Sequence, residues 1–119
     1  MIHALPPLEL LERSATCLRL RGTVPASLPC FEGHFPERPV VPGVVQLGWV
    51  MELVRRHSAI APLVERIDVL KFHRVIPPGT ELQIDVELDP EGARATFSMR
   101  SGAVLHSSGR IQFAEPDTP

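Results

Sequence analysis

The sequence predicts an α+β fold in one domain: a single buried helix with one antiparallel sheet curled round it. Three observations lead there. A stretch of 14 residues, Val44 to His57, is free of proline and apolar nearly all round, the pattern of a helix buried on most sides. Strand-like alternation occurs before that helix and in consecutive segments after it. Strands bunched in this way, rather than alternating with helices, argue for antiparallel pairing. Finally, 119 residues, 44% of them apolar and 22% charged, suffice for one core and leave no room for a second domain.

The elements follow in order. Leu8 to Glu12 is apolar but short, and fits either a strand or a helical turn. From Thr16 the chain alternates, with Thr16, Leu18, Leu20, Gly22 and Val24 on one face and Cys17, Arg19, Arg21 and Thr23 on the other. Period two is the mark of a half-buried strand, and Pro25 to Pro29 ends it. Residues 31–43 carry Gly33, Pro36, Pro39, Pro42 and Gly43. Each proline fixes its own φ and pushes the preceding residue towards extended geometry. The loop is therefore stiff and suited to holding a reactive side chain. The helix ends in Arg55, Arg56 and His57, cations that complement the negative end of its dipole. Arg66 to Ile76 sets Ile67, Val69, Lys71 and His73 against Asp68, Leu70, Phe72 and Arg74, and Pro77-Pro78-Gly79 turns the chain. Glu81 to Leu88 buries Leu82, Ile84, Val86 and Leu88, and Asp89-Pro90-Glu91-Gly92 is a hairpin-type turn. Ala93, Ala95, Phe97 and Met99 form the next inward face, Ser101-Gly102 turns, and Ala103 to Phe113 is the last strand. Residues 114–119 read as a flexible tail. The 13 prolines cluster at the ends of these segments, so they punctuate ordered structure.

Composition narrows the function. Twelve basic and 14 acidic residues leave a net charge of −2, without the basic footprint of a nucleic-acid binder. Five Phe, one Trp and no Tyr offer little for base stacking. The longest apolar run, Val40 to Val54, is broken by Pro42, Gln46 and Glu52 and is too short to span a bilayer. The first residues lack a basic stretch and a long apolar one, so no secretory signal is expected. Cys17 and Cys30 sit in a chain of ordinary apolar content. They are expected to be reduced, and the protein to be cytoplasmic. His3, His34, His57, His73 and His106 show no metal-ligand spacing, so neither metal nor cofactor is expected.

The stretch Gly33-His34-Phe35-Pro36-Glu37-Arg38-Pro39-Val40-Val41-Pro42-Gly43-Val44-Val45 resembles the active-site motif of the 3-hydroxyacyl-[acyl-carrier-protein] dehydratases, the FabA/FabZ family of the hotdog fold. Lys71 to Thr80 is similar to the family's strand after the helix and its Pro-Gly turn. The run Pro42 to Leu47, followed by Trp49, looks like the branch that includes the dehydratases of aryl-polyene clusters. The resemblance implies a hydro-lyase acting on 3-hydroxyacyl thioesters of acyl carrier protein or coenzyme A, in fatty-acid or polyene-type biosynthesis. It also implies a homodimer, or a higher oligomer of dimers, with sites between subunits.

Such a dehydration removes a proton from C2 and expels the C3 hydroxyl. It needs a base, an acid for the leaving oxygen and a dipole on the thioester carbonyl. The resemblance makes His34 the base; as a residue type alone, His34 fits a backbone-bonded loop histidine as well. The Gly43 N–H would polarise the carbonyl at the helix N-terminus, although a plain helix-start turn uses the same glycine. Phe35, Pro42, Val44, Gly48 and Trp49 fall in the implied substrate pocket. The chain departs from the family at one position. The family's acid lies on the helix fourteen residues after the histidine, and that position here is Gly48. Glu52, one turn on and about 40° round the helix, is a substitute acid. It is also placed to pair with Arg56 and Arg55 at i+4 and i+3. Gln46, about 160° from position 48, is expected to point elsewhere. Arg13, Arg19, Arg21, Arg38 and Arg74 are either solvated charges or contacts for an acidic carrier protein or a phosphopantetheine phosphate. Three readings stay open: the dehydratase, a hotdog thioesterase using Glu52, and a non-catalytic subunit that binds acyl chains or completes a heterodimer.

Overall fold

Alternation in the chain becomes a sheet because each strand has one apolar face to hide. The computed structural model describes residues 4–32, 39–60 and 63–114. They form β1 (Glu9–Arg13), β2 (Cys17–Thr23), a short 3-10 turn (Pro29–Phe31), α1 (Gly43–His57), β3 (Val64–Phe72), β4 (Glu81–Asp89), β5 (Arg94–Ser101) and β6 (Val104–Phe113). The strands make one sheet in the order β1-β2-β4-β5-β6-β3, every neighbouring pair antiparallel. The register aligns the apolar faces: Leu18 pairs with Val86, Leu20 with Ile84, Ile84 with Met99 and Val86 with Phe97. All six are buried, each gaining roughly 1.5–3 kcal/mol over an exposed position. Val45, Trp49, Val50, Leu53 and Val54 of α1 belong to the same core.

The α+β class, the buried helix and the antiparallel pairing are as the sequence predicts. Several boundaries differ. Leu8 to Glu12, open between strand and turn, gives rise to β1, whose five residues are all exposed at the sheet edge. The helix starts at Gly43 rather than Val44, because Pro42 is its N-cap. The extended backbone of Pro42 (φ −60°, ψ 151°) offers its carbonyl to the N–H groups of Val45 and Gln46. The strand predicted over Arg66 to Ile76 runs instead from Val64 to Phe72, and its alternation breaks. The ladder slips between Asp68 and Lys71, and Val69 sits at φ 46°; an extra residue in one strand interrupts the period of two. Ile76 is buried in the following loop. The last strand starts at Val104, after the turn, and not at Ala103. Of the predicted tail, Ala114 donates its N–H to Leu63 O at 2.7 Å, and residues 115–119 lie outside the described residues. Cys17 and Cys30 are unpaired and half-buried. Among the described residues no helix is long and apolar enough to cross a membrane.

Candidate active site at the start of the helix

The first amides of any helix lack intrahelical acceptors and depend on a cap. Here the N-cap is Pro42, which supplies no side-chain hydrogen bond, and the first turn contains no acidic residue. The Gly43 N–H, at the first helical position, therefore stands at the positive end of the dipole with no counter-charge from its own turn. The approach to it is fixed by two bonds. Val41 N–H donates to Ile76 O at 2.8 Å, and Gln46 Nε2 reaches back to Val41 O at 3.1 Å. The loop behind β3 is thus stitched to the helix start. Buried His106 of β6 braces that loop: Nδ1 lies 3.1 Å from Val75 O, Nε2 meets Ser101 Oγ, and the His106 carbonyl accepts the His73 N–H at 2.8 Å. A carbonyl accepts only from a protonated Nδ1, so in the neutral ring Nε2 accepts from the serine hydroxyl.

Gly43 also leaves room for a neighbouring side chain. Within the chain the approaching group is Phe72: a Cβ on Gly43 would lie 2.6 Å from the Phe72 Cζ. The ring, at the end of β3, is itself half-exposed. Phe72 reaches the helix because β3 leads back past the start of α1, a juxtaposition that periodicity along either segment does not reveal.

The remaining site residues separate. His34 and Phe35 lie outside the described residues. Pro42 and Gly48 are half-buried, and Val44 is 67% exposed beside Gly43. Trp49, expected in the pocket, is fully buried and donates Nε1–H to Ala4 O at 3.0 Å. It is a core residue with no surface open to a substrate in this chain. Gln46 is buried and turns back to clasp Val41, and its Oε1 is buried without a hydrogen-bond partner among the described residues. Glu52 is 8% exposed and held by both arginines, with Arg56 Nε at 2.9 Å and Arg55 Nε at 3.2 Å from its carboxylate. Hydrogen bonds from Arg55, then Arg56, lower its pKa from 4.5 to about 2. A carboxylate held there is ionised near neutral pH and has no proton to give. The side chains not anticipated are Phe72, Gln46 and His106. The glycine at the helix start is the only sequence signal for Phe72. Nothing in the pattern of β6 marks His106.

One helix packed on a six-stranded antiparallel sheet is the architecture of a hotdog protein. The comparisons agree. The ApeI-like family, described as ApeI dehydratase, matches residues 11–110. A 3-hydroxyacyl-[acyl-carrier-protein] dehydratase FabZ from Caldicellulosiruptor bescii is 39% identical over 97 residues, 72% of this chain and 69% of that one. Another FabZ, from Chloroflexus aggregans, is 38% identical over 73 residues, 56% of this chain, and the match spans only 51% of that relative. Among solved structures, a chain of the dehydratase heterocomplex ApeI:P from Xenorhabdus doucetiae superposes with a TM-score of 0.87 at 25% identity, over 94% of this chain and all of that one. The chain belongs to the ApeI-like, FabZ-related family of hotdog dehydratases.

Proposed function

We propose that this chain is a dehydratase subunit acting on 3-hydroxyacyl thioesters of acyl carrier protein, and that its own helix carries no proton donor for the reaction. The observation behind the proposal is the start of α1: a Gly43 N–H that receives no side-chain cap from Pro42, no acid in the first turn, and a backbone held in place through Val41, Ile76 and Gln46. His34 takes the C2 proton. The electrons of that C–H bond become the C2=C3 double bond, the C3–O bond breaks, and the hydroxyl leaves as water once protonated. The Gly43 N–H stabilises the charge that develops on the thioester oxygen. Phe35, Pro42 and Val44 flank the acyl group beside it. Gly48 supplies no acid, and ion-paired Glu52 does not replace it, so the last proton comes from water or from a second chain.

A second chain has a place to bind. β3 is the outer strand of the sheet, and Leu63, Ile67, Val69, Phe72 and Val75, on it or beside it, are exposed apolar residues. An unpaired apolar edge is a template for another strand. Two copies joined there form a homodimer, and oligomers of such dimers extend it. Gly48, together with the likeness to a chain of a heterocomplex, favours a second reading: a heterodimer whose other hotdog chain carries the acid. The thioesterase reading has less support, since a carboxylate with a pKa of about 2 is a weak base and both its oxygens are engaged. A cytoplasmic setting and a role in fatty-acid or polyene synthesis belong to the same proposal.

The test is incubation of the purified chain with 3-hydroxyacyl and enoyl thioesters, on carrier protein and on coenzyme A, followed by mass. Slow loss or gain of water that disappears in His34→Ala supports the dehydratase. Release of free thiol instead supports the thioesterase. No turnover alone, but turnover with an acid-bearing hotdog partner, supports the heterodimer.

A further inference from the structure

Two depressions meet at the far end of α1. One, of about 510 Å³, is walled by Leu5, Leu8, Leu10, Leu20 and Leu53 and closed by Arg56 and His57. The other, of about 460 Å³, is lined by Arg13, Ser14 and Pro90 with the same Arg56 and His57. An apolar trough thus runs into a basic one. No carboxylate is among the described residues lining either. The trough is distinct from the site above. His57 is about 20 Å along the helix axis from Gly43, and Leu53 and His57 lie about 140° and 180° round the helix from Gly48.

The apolar wall is held in place. The segment that carries it ahead of β1, residues 4–8, is fixed at one end by the Trp49 Nε1–H bond to Ala4 O. At the other end it lies on Gly22, where a Cβ would fall 2.1 Å from Pro7 O. The basic end has charge to spare. Arg13 forms no ion pair among the described residues, and Arg56, which lines both depressions, meets Glu52 through Nε alone, its terminal nitrogens unbonded among those residues. Burial and the charges of Arg13 and Arg56 push the His57 pKa below its ordinary value. The last turn of α1 bears no acid on this face, and the turn after β4 contributes only Pro90.

We infer that this trough binds an anionic amphiphile, a medium-chain carboxylate, with its chain along Leu5, Leu8, Leu10 and Leu53 and its head between Arg13, Arg56 and His57. Volumes of this size are those of small-molecule sites. The inference does not rest on the dehydratase reading, and its test reads binding alone. Decanoate, decanol and acetate are titrated into the full chain by calorimetry, with the His57 ring followed by NMR. Decanoate binds roughly tenfold more tightly than decanol, a modest effect fitting partly exposed arginines, and acetate binds too weakly to measure. Arg13→Gln brings decanoate down to the level of decanol, and Leu10→Asp, at an exposed edge position, removes decanoate binding. Bound carboxylate raises the His57 pKa, so affinity for decanoate increases as pH falls through that titration. Equal affinity for decanol and decanoate, indifference to Arg13→Gln, or decanoate-induced shifts at Gly43 and Gly48 without any at His57 would each overturn the inference.

Discussion

At the residue scale, Gly43 meets two demands at once under the proposed function. That reading uses its amide at the helix start, and its α-carbon admits the Phe72 ring, whose Cζ would lie 2.6 Å from a Cβ built there. Gly43→Ala gains about 1 kcal/mol of helix propensity but overpacks a tight contact, at roughly 1–3 kcal/mol. The expected net loss is about 1 kcal/mol in urea unfolding. In a Phe72→Ala background the overpacking is gone and the same change should stabilise by up to about 1 kcal/mol, and a double-mutant cycle reads the difference. Glu52 gives a second prediction. Its folded pKa, about 2, lies below the ordinary 4.5. The stability it contributes is therefore present above pH 4.5 and is lost as pH falls from there towards 2. Thermal unfolding of Glu52→Gln should lack that acid limb while the wild type keeps it. Dehydration should be unchanged by the same substitution, because the carboxylate serves the arginines. Both roles of Glu52 were legible from its spacing to Gly48, Arg55 and Arg56; the hydrogen bonds from the two guanidinium groups favour the pairing role.

At the element scale, α1 and β3 show what periodicity reveals and what it hides. The helix was legible because its apolar residues, its closing cations and the preceding Pro-Gly agree. The central strands β4 and β5 were legible because one face is buried and the other is not. β3 was harder to read, since it lies at the edge, exposes apolar residues and holds a bulge at which Val69 takes a left-handed backbone. A β-branched residue there is strained by about 1–2 kcal/mol. Val69→Gly relieves that strain and adds glycine's entropy cost of roughly 0.5–1 kcal/mol. The isolated chain should be as stable as the wild type or more stable by up to about 1 kcal/mol, as measured by urea midpoint. A clear loss of stability would mean that the Val69 side chain contributes packing beyond its visible contacts. The prolines of the loop before α1 were legible, whereas the bond from Gln46 to the Val41 carbonyl was not, because helix geometry alone does not show a side chain turning back to the preceding carbonyl.

At the scale of the whole molecule, the sheet has two outer strands that differ in kind. β1 bears Glu9, Glu12 and Arg13, and its two glutamates pair with Arg21 and Arg19 of β2. β3 shows Ile67, Val69 and Phe72 to solvent. Association through β3 predicts that Ile67→Lys, which leaves the core untouched, shifts sedimentation towards monomer, whereas Leu11→Lys on β1 does not. The fold was legible at this scale because it follows from counting buried faces. The partner was not, because one chain's sequence does not say whether the acid absent at Gly48 is supplied by another.

The central claim, a dehydratase site without its own acid, is tested most directly by the rate of enoyl thioester formation in Gly48→Glu against wild type. General acid catalysis is worth about 10²- to 10⁴-fold. With imperfect placement of the new carboxylate, a gain of roughly 10- to 10³-fold is expected, still dependent on His34 and indifferent to Glu52→Gln. No gain in Gly48→Glu, together with loss of wild-type dehydration in Glu52→Gln, would contradict the account and return Glu52 to the role of acid.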